Sequence, residues 1–238
     1  MKIAVIGDIH GNKDALKCVL DDIKQNNVDH IIATGDLVGY LPYPNEVIEL
    51  LRQARVLVIQ GNHDQRIGEE QPVTEDDIKQ LIGVDLTRQA SNLYTNKVIT
   101  AENRQYLRNL PQKLRLEVGN KSILFVHGSP RRIDEYVYED EALLSEIAET
   151  FTEDILVCGH THTPYSLRKN GKHFINVGSV GKPKTTRPEA TYVILEVREK
   201  CVTTIIREVA YDLAPLIQAI KANPMIANGL IKNLTEGC

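Results

Sequence analysis

The sequence has no excess of basic residues and no long apolar run. Its 28 Lys and Arg residues are intermixed with 32 Asp and Glu residues, giving a net charge of −4. This balance leaves no basic footprint for nucleic acid and no basic membrane-surface helix, so neither partner is expected. Apolar stretches are too short to span a bilayer, and the N-terminus meets Asp8 before a secretory apolar segment can form.

Cysteine is also sparse. The four cysteines, Cys18, Cys158, Cys201 and Cys238, have neither the spacing of a zinc site nor that of a disulfide framework. We therefore expect reduced thiols in a cytoplasmic protein. Cys158 precedes two histidines closely, but a small buried strand residue is the simpler interpretation of it.

Strand-like and helix-like stretches alternate in the first quarter of the chain. Apolar runs over 2–7, 30–35 and 56–61 predict strands. Between them, apolar residues at helical spacing predict two helices, one capped by Asn12 and one starting at Pro44. This order predicts a mostly parallel sheet with helices on its faces.

The segment from about 65 to 110 has a different pattern of apolar residues from the strand-rich part before it. Its apolar residues are grouped at helical spacing between polar connections, which predicts a small helical insertion or cap. These residues are Ile78, Leu81, Ile82, Tyr106, Leu107 and Leu110.

The second half of the chain predicts a second sheet. The dipeptides Gly119-Asn120 and Asn170-Gly171 lie between strand-like runs, and each predicts a hairpin. A helix is predicted over 140–151, and a C-terminal helical segment over 211–238. With 42% hydrophobic residues, the 238-residue chain can form one sizeable core. We therefore predict a single α/β domain (1–238) with two β-sheets.

Polar side chains with metal-binding chemistry follow five of the apolar runs. They are Asp8, His10, Asp36, Asn62, His63, Asp64, His127, His160 and His162. Sites in open α/β sheets form at the carboxyl ends of the strands, so these groups are expected to converge. Five of the seven histidines lie in these places; only His30 and His173 do not.

The donor set is chemically coherent. Carboxylate, amide oxygen and imidazole, without thiolate, suit Mn²⁺, Fe²⁺, Co²⁺, Ni²⁺ or Zn²⁺. Seven donors are too many for one catalytic ion with an open position, but they fit two ions about 3.5–4 Å apart that share a carboxylate. Each motif alone is more often a turn or a helix cap, whereas their joint occurrence at strand ends favours a metal site.

Five short blocks also carry a family resemblance. "GDIHG", "GDLVGY", "GNHD", "VHG" and "GHTH" resemble, in this order, the signature blocks of the calcineurin-like metallophosphoesterase superfamily. The later "NVGSVGKPK" and "EATYVILEV" are similar to a prokaryotic branch of predicted phosphoesterases related to diadenosine tetraphosphatases and small phosphodiesterases. The resemblance implies a fold of two stacked mixed β-sheets flanked by helices.

The resemblance further implies a role for each matched residue. The first ion would be held by Asp8, His10 and His162, the second by Asn62, His127 and His160, with Asp36 bridging both. The implied reaction is hydrolysis of a small phosphate monoester or diester, such as a nucleotide. A hydroxide shared by the ions would attack phosphorus in line. His63 would protonate the departing oxygen.

Phosphate recognition needs cations beyond the metal ions. Arg131 directly follows "VHGSP", and its guanidinium is a candidate to bind phosphate, with a solvated basic turn as the alternative. Asp36, His63 and Arg131 are therefore the predicted catalytic residues. The loop lysines and the tyrosines near the blocks are left outside the predicted site. They are Lys182, Lys184, Tyr40, Tyr43, Tyr136 and Tyr138.

The sequence departs from the serine/threonine phosphatase branch after the second block. That branch carries Asp-Arg-Gly where this chain has Gly39-Tyr40-Leu41. The aspartate that would orient the catalytic histidine is missing, and so is the arginine that would bind phosphate. Protein phosphatase activity is therefore not expected. The orientation of His63 must come from elsewhere, and Asp64 is its neighbour in sequence.

Two other functional classes fit the sequence less well. A nuclease would need a basic stripe to track phosphates, which the acidic balance does not provide. A non-catalytic protein-binding scaffold with the same fold would have a degraded metal site, whereas every ligand position is intact here. The sequence predicts no particular oligomeric state.

Overall fold

A computed structural model describes residues 1–76, 86–198 and 201–236, and these residues form ten strands and eight helices. The strands are β1 (Lys2–Ile6), β2 (His30–Ala33), β3 (Leu57–Val58), β4 (Lys113–Val118), β5 (Lys121–Val126), β6 (Ile155–Cys158), β7 (Tyr165–Lys169), β8 (Lys172–Asn176), β9 (Ala190–Val197) and β10 (Val202–Val209). The helices are α1 (Lys13–Gln25), α2 (Pro44–Gln53), α3 (Asn62–Glu69), α4 (Leu86–Val98), α5 (Ala101–Arg108), α6 (Glu141–Ala148), α7 (Ala214–Ala222) and α8 (Gly229–Thr235).

The strands form two five-stranded mixed sheets. The first has the order β10-β9-β1-β2-β3, with β1, β2 and β3 parallel and β9 antiparallel to β1. The second has the order β4-β5-β6-β8-β7, with β5, β6 and β8 parallel and the outer strands antiparallel. The prediction of two mixed sheets flanked by helices is confirmed.

Alternation along the strands explains the layering. In β1, Ile3 and Val5 belong to the core between the sheets, whereas Ala4 and Ile6 pack under the helices of the first sheet. Successive strand side chains point to opposite faces, so a strand that is apolar throughout is covered on both sides. Each fully buried apolar side chain contributes about 1.5–3 kcal/mol. Packing on both faces holds these strands in place, and with them the strand ends that carry the candidate site residues.

Local turn and cap signals are confirmed. The side chain of Asn12 caps α1 by accepting a hydrogen bond from the Ala15 N–H at 3.0 Å, and Pro44 is the first residue of α2. Both predicted hairpins have two-residue turns. Gly119 and Asn170, with φ of 62° and 50°, adopt the left-handed conformation that tight hairpin turns require.

Two elements differ from the sequence expectation. The strand predicted over 56–61 is reduced to Leu57–Val58, because the backbone N–H of Gln60 leaves the sheet to donate to the carbonyl of Pro111 at 2.7 Å. The insertion predicted from about 65 to 110 is helical where it is described, but α3 already starts at Asn62. The predicted apolar group Ile78, Leu81 and Ile82 lies outside the described residues.

The C-terminal helices pack beside the loop that follows β2. A cluster of buried residues, here called the C-terminal cluster, joins this loop to α7 and α8. Its members are Leu41, Leu216, Ile220, Ile226 and Leu234, with Tyr40, Tyr43, Tyr94 and Tyr211 packed against them. Across the residues described here, no helix combines the length and apolar composition needed to cross a bilayer.

Candidate metal centre

The carboxyl ends of strands from both sheets meet at one place. β1, β2 and the first turn of α3, which follows β3, bring the first six candidate residues from the first sheet, and β5 and β6 bring the three histidines of the second. Backbone hydrogen bonds join the loops directly: the N–H groups of Ile9 and His10 donate to the Asp36 carbonyl at 2.8 and 2.9 Å, and Gly159 donates to His127 at 2.9 Å. The residues predicted to converge are therefore adjacent.

One group of donor atoms comes from Asp8, His10 and His162. His10 Nε2 lies 3.1 Å from His162 Nε2, and His162 Nε2 lies 3.2 Å from Asp8 Oδ1. All three side chains are buried. Their donor atoms lie within 4.8 Å of one another, close enough for one ion to contact all three.

A second group comes from Asp36, His127 and His160. His127 Nε2 lies 3.3 Å from Asp36 Oδ2, 3.1 Å from His160 Nδ1 and 2.9 Å from Asn62 Oδ1. Asp36 Oδ2 also lies 3.8 Å from His10 Nε2. The Asp36 carboxylate thus lies between the two groups, where one carboxylate can serve two ions.

The four imidazoles are fixed in their tautomers by backbone carbonyls. His10 Nδ1 donates to Val38 O at 3.1 Å, and His127 Nδ1 donates to Thr34 O at 2.9 Å. His162 Nδ1 donates to Lys182 O at 2.6 Å, and His160 Nε2 donates to Asp134 O at 3.1 Å. In the neutral form of each ring the other nitrogen has a free lone pair, and those four nitrogens face the site. Second hydrogen bonds of this kind are typical of metal-ligating histidines.

The donor set needs positive charge at its centre. Two pairs of imidazole nitrogens face each other at 3.1 Å, and Asp8 Oδ1 is buried without a hydrogen-bond partner. Buried acceptors in this arrangement are costly unless a proton or a cation lies among them. The residues present therefore fit divalent metal ions.

The pKa values reflect the same shortage of positive charge. Burial alone would lower the pKa of His127, but the neighbouring Asp36 carboxylate raises it to about 9. Burial, together with the charge on His127, lowers the pKa of His160 to about 4. Burial also lowers the pKa of His10 well below its ordinary value. Without a cation, a proton on His127 partly compensates Asp36; a bound cation would replace it.

The backbone at the site is held in an uncommon conformation. Five of the seven predicted ligands have φ between 51° and 65°: Asp8, His10, Asp36, His160 and His162. Left-handed φ is uncommon for residues other than glycine and persists only where the surrounding structure enforces it. The strand ends and the backbone hydrogen bonds between loops provide that enforcement, and they turn these side chains toward a common centre.

His63 lies at the edge of the two groups. Its backbone N–H donates to Asp36 Oδ1 at 2.8 Å, and its ring centroid lies 5.1 Å from that of His10. Its Nδ1 contacts Asn92 Oδ1 of α4 at 3.1 Å. No sequence signal pointed to Asn92, which lies 29 residues from His63.

Asp64 does not orient His63. Its Oδ1 accepts from the backbone N–H groups of Leu37 and Val38 at 2.9 and 3.3 Å, and its Oδ2 accepts from Gly61 at 3.0 Å. Burial and the nearby Asp36 charge raise the pKa of Asp64 to about 7. Asp64 therefore joins the loop after β2 to the start of α3.

The predicted phosphate-binding arginine is engaged by carboxylates. Arg131 Nε and Nη2 donate to Glu135 at 3.0 and 2.5 Å, and Nη1 lies 3.5 Å from Glu146. Its guanidinium is therefore paired with carboxylates in this structure, and phosphate binding by Arg131 stays a prediction. Of the loop lysines, Lys182 Nζ lies 5.1 Å from the Tyr40 ring centre and Lys184 Nζ lies 5.7 Å from that of Tyr136.

Aromatic rings line the mouth of the site. Tyr136 stacks on His160, with ring centres 4.0 Å apart and planes inclined by 24°, and Tyr138 stacks on Tyr136 at 5.6 Å. Tyr40 lies edge-on to His10 at 4.8 Å. The sequence prediction of the site does not include these tyrosines. The i, i+2 spacing of Tyr136 and Tyr138 was the sequence signal for this pair, since such residues share one side of an extended segment.

Cys158 is a structural residue, as predicted. It is buried in β6, and burial raises the pKa of its thiol to about 12. The thiol is thus kept protonated, and metal binding requires a thiolate. The donor set of the site therefore remains carboxylate, amide and imidazole.

Comparison with known proteins identifies the family. The model of the calcineurin-like phosphoesterase superfamily domain matches residues 1–200. The chain is 32% identical over 239 residues to an uncharacterized protein, MJ0912, of Methanocaldococcus jannaschii, covering 93% of this chain and 92% of that one. It is 24% identical over 234 residues to the phosphodiesterase YfcE of Escherichia coli K12, covering 94% and 100%.

A solved structure agrees with this result. The crystal structure of a metallophosphoesterase from Sphaerobacter thermophilus matches with a TM-score of 0.83 and 30% identity, covering 100% of this chain and 99% of that one. The sequence match and the shared fold agree with the geometry of the donor set. The chain therefore belongs to the calcineurin-like phosphoesterase superfamily and is a metal-dependent hydrolase of phosphate esters.

Proposed function

We propose that this protein hydrolyses small-molecule phosphate esters at a centre of two divalent metal ions. Asp8, His10 and His162 hold one ion, and Asp36 is shared with the second. The remaining ligands of the second ion are Asn62, His127 and His160. One observation carries the proposal: four imidazole nitrogens converge with two buried carboxylates. In each of the four rings, the other nitrogen donates a hydrogen bond to a backbone carbonyl.

The chemistry divides between the ions and the chain. When bound, the ions supply Lewis acidity to phosphate oxygens and lower the pKa of a water molecule. The Asp36 carboxylate is held in position by a hydrogen bond from the backbone N–H of His63. Burial raises the pKa values of Asp8 and Asp36, but the neighbouring histidines lower both below the ordinary value, so both carboxylates are charged. His63, at the edge of the donor groups, is the proton donor that we assign to the departing ester oxygen. Donation of that proton is typically worth about 10²–10⁴-fold in rate.

The substrate class follows from the surface around the site. The net charge of −4 and the pairing of Arg131 with Glu135 argue against a basic track for a nucleic-acid backbone. A small ester that uses the ions as its main anchor fits this surface better. The name of the Escherichia coli relative, phosphodiesterase, supports including diesters among the first substrates to test.

The test is metal-restored hydrolysis. Metal-stripped protein is assayed with p-nitrophenyl phosphate and bis(p-nitrophenyl) phosphate after adding back Mn²⁺, Fe²⁺, Co²⁺, Ni²⁺ or Zn²⁺. Asp36→Asn should abolish restored activity, whereas Asp21→Asn, at an exposed carboxylate paired with Lys24, should not. Metal content is measured on each variant. Failure of every ion to restore cleavage, despite stoichiometric binding, would contradict a general esterase activity and favour a narrow natural substrate or the scaffold alternative.

A further inference from the structure

The residue that orients His63 is not where the family pattern places it. Gly39 occupies the position at which an aspartate is found in the phosphatase branch, and its φ is +93°. The His63 ring packs directly on this glycine: a Cβ added at residue 39 would lie 2.6 Å from His63 Nδ1. A side chain at residue 39 would therefore clash with the ring it was meant to orient.

The acceptor for His63 comes from a different element. Asn92, in α4, places its Oδ1 3.1 Å from His63 Nδ1. A carboxamide oxygen accepts but never donates, so Nδ1 carries the hydrogen of this bond. The bond selects the Nδ1–H tautomer of the neutral ring and leaves Nε2 to exchange a proton with a substrate.

The helix that carries Asn92 is firmly attached to the rest of the fold. Tyr94 donates to the carbonyl of Pro42 at 3.0 Å, and Asn45 donates to the carbonyl of Val98 at 2.9 Å. Further along, Arg104 Nη2 donates to Asn96 Oδ1 at 2.9 Å. These contacts, made by residues 94 to 98, attach the part of α4 that follows Asn92 to the rest of the fold and so help to position its side chain. A positioning role requires such pre-organisation.

We infer that Asn92 is the positioning residue of His63, replacing the aspartate missing at residue 39. Asn92 sets the tautomer and the direction of the imidazole without touching substrate or metal ion. The kinetic part of this inference rests on the proposed function, in which His63 protonates the leaving group. The tautomer part does not, because it rests on the hydrogen bond between Asn92 and His63 alone.

The first experiment observes the ring itself. Long-range ¹H–¹⁵N spectra of His63 are recorded on metal-stripped protein over a pH series that ends at alkaline pH, and His63→Gln assigns the signals. We expect the Nδ1–H tautomer in the unsubstituted protein and in Asn92→Asp, which keeps an acceptor oxygen. Asn92→Ala should move the signals toward the Nε2–H form. Unchanged ¹⁵N shifts in Asn92→Ala would overturn the inference.

The second experiment measures hydrolysis of two esters with different leaving groups. Asn92→Ala should lower kcat about 10–100-fold while KM and metal content stay unchanged. The loss should be larger for phenyl phosphate than for p-nitrophenyl phosphate, because the poorer leaving group depends more on protonation. Asn92→Asp should retain activity. His63→Ala and the double variant with Asn92→Ala should be equally slow, since Asn92 acts through His63.

A structural role would give a different pattern. Asn96→Ala disturbs the same helix at its contact with Arg104, away from His63, and should lower stability without changing the ratio of the two ester rates. An equal ratio change in Asn96→Ala would mean that loosening of the helix, and not the Asn92 bond, is responsible. If the unsubstituted protein hydrolyses neither ester, the proposed function fails, and the spectra still decide the role of Asn92.

Discussion

His173 gives the fold a testable sensitivity to acid. It lies on β8 and is only 5% exposed, outside the metal centre. Its Nε2 is 2.8 Å from Ser166 Oγ, and its Nδ1 is buried without a hydrogen-bond partner. Burial, reinforced by the charge of Arg168, the cross-strand partner of His173, lowers the pKa of His173 from 6.5 to about 4.

This pKa has a definite consequence for stability. Between about 6.5 and 4 the unfolded chain binds a proton that the folded chain does not, so acid favours unfolding. The full difference corresponds to about 3 kcal/mol, and about 2 kcal/mol of it is lost by about pH 5. The contribution is present above 6.5 and falls as the pH drops through this window.

The assay compares the unsubstituted protein with His173→Gln. Urea unfolding of both metal-free proteins is measured from about pH 7 to about pH 5. Titrating groups in the metal centre affect both proteins equally and cancel in the difference. The difference in free energy of unfolding should change by about 2 kcal/mol in favour of His173→Gln. His30→Gln, at an exposed histidine, is the control. A difference that stays constant within about 0.5 kcal/mol would refute the reasoning.

Three further predictions concern other residues. His63→Ala should lower kcat about 10²–10⁴-fold while metal content, measured by elemental analysis, is unchanged; loss of both would make His63 a ligand. Arg131→Ala should leave KM for both esters nearly unchanged because Glu135 already neutralises Arg131; a large rise in KM would restore its predicted phosphate contact. Asp22→Asn should lower the free energy of unfolding by roughly 1–3 kcal/mol. Burial raises the pKa of Asp22, but hydrogen bonds, led by that from Arg207, lower it below its ordinary value. The difference in free energy of unfolding between the two proteins, measured by urea titration, should therefore shrink as the pH falls through the folded pKa of Asp22. A pH-independent difference would contradict this prediction.

The features that the sequence predicted well are those encoded locally. The apolar runs of β1 and β6 are buried on both faces, and Asp8 and His160 follow these strands within three residues. Cap and turn residues such as Asn12 and Asn170 act within a few positions of their own backbone. Because strand ends meet at one edge, residues at those ends could be grouped without knowing any distance.

The features that escaped prediction depend on side chains that meet only in the folded chain. Asn92 contacts His63 from a different helix, 29 residues along the chain, and no pattern in the "GNHD" block indicates which residue of that helix will face it. Glu146 lies 15 residues from Arg131, and nothing in the basic dipeptide after "VHGSP" indicates that carboxylates will surround it. The early end of β3 likewise depends on Pro111, far along the chain. Long-range pairings of this kind have no periodic signal.

Through the C-terminal cluster, substitutions in the last two helices can change the shape of the site. Leu216 and Ile220 carry no reactive group, yet they pack with Leu41, next to the tyrosine that lies edge-on to His10. A larger or smaller side chain in α7 would shift the loop after β2, which carries Tyr40, without changing any residue of the signature blocks. Two lineages with identical ligands could thus diverge in the shape of the mouth of the site. Comparisons restricted to the blocks would not register that divergence.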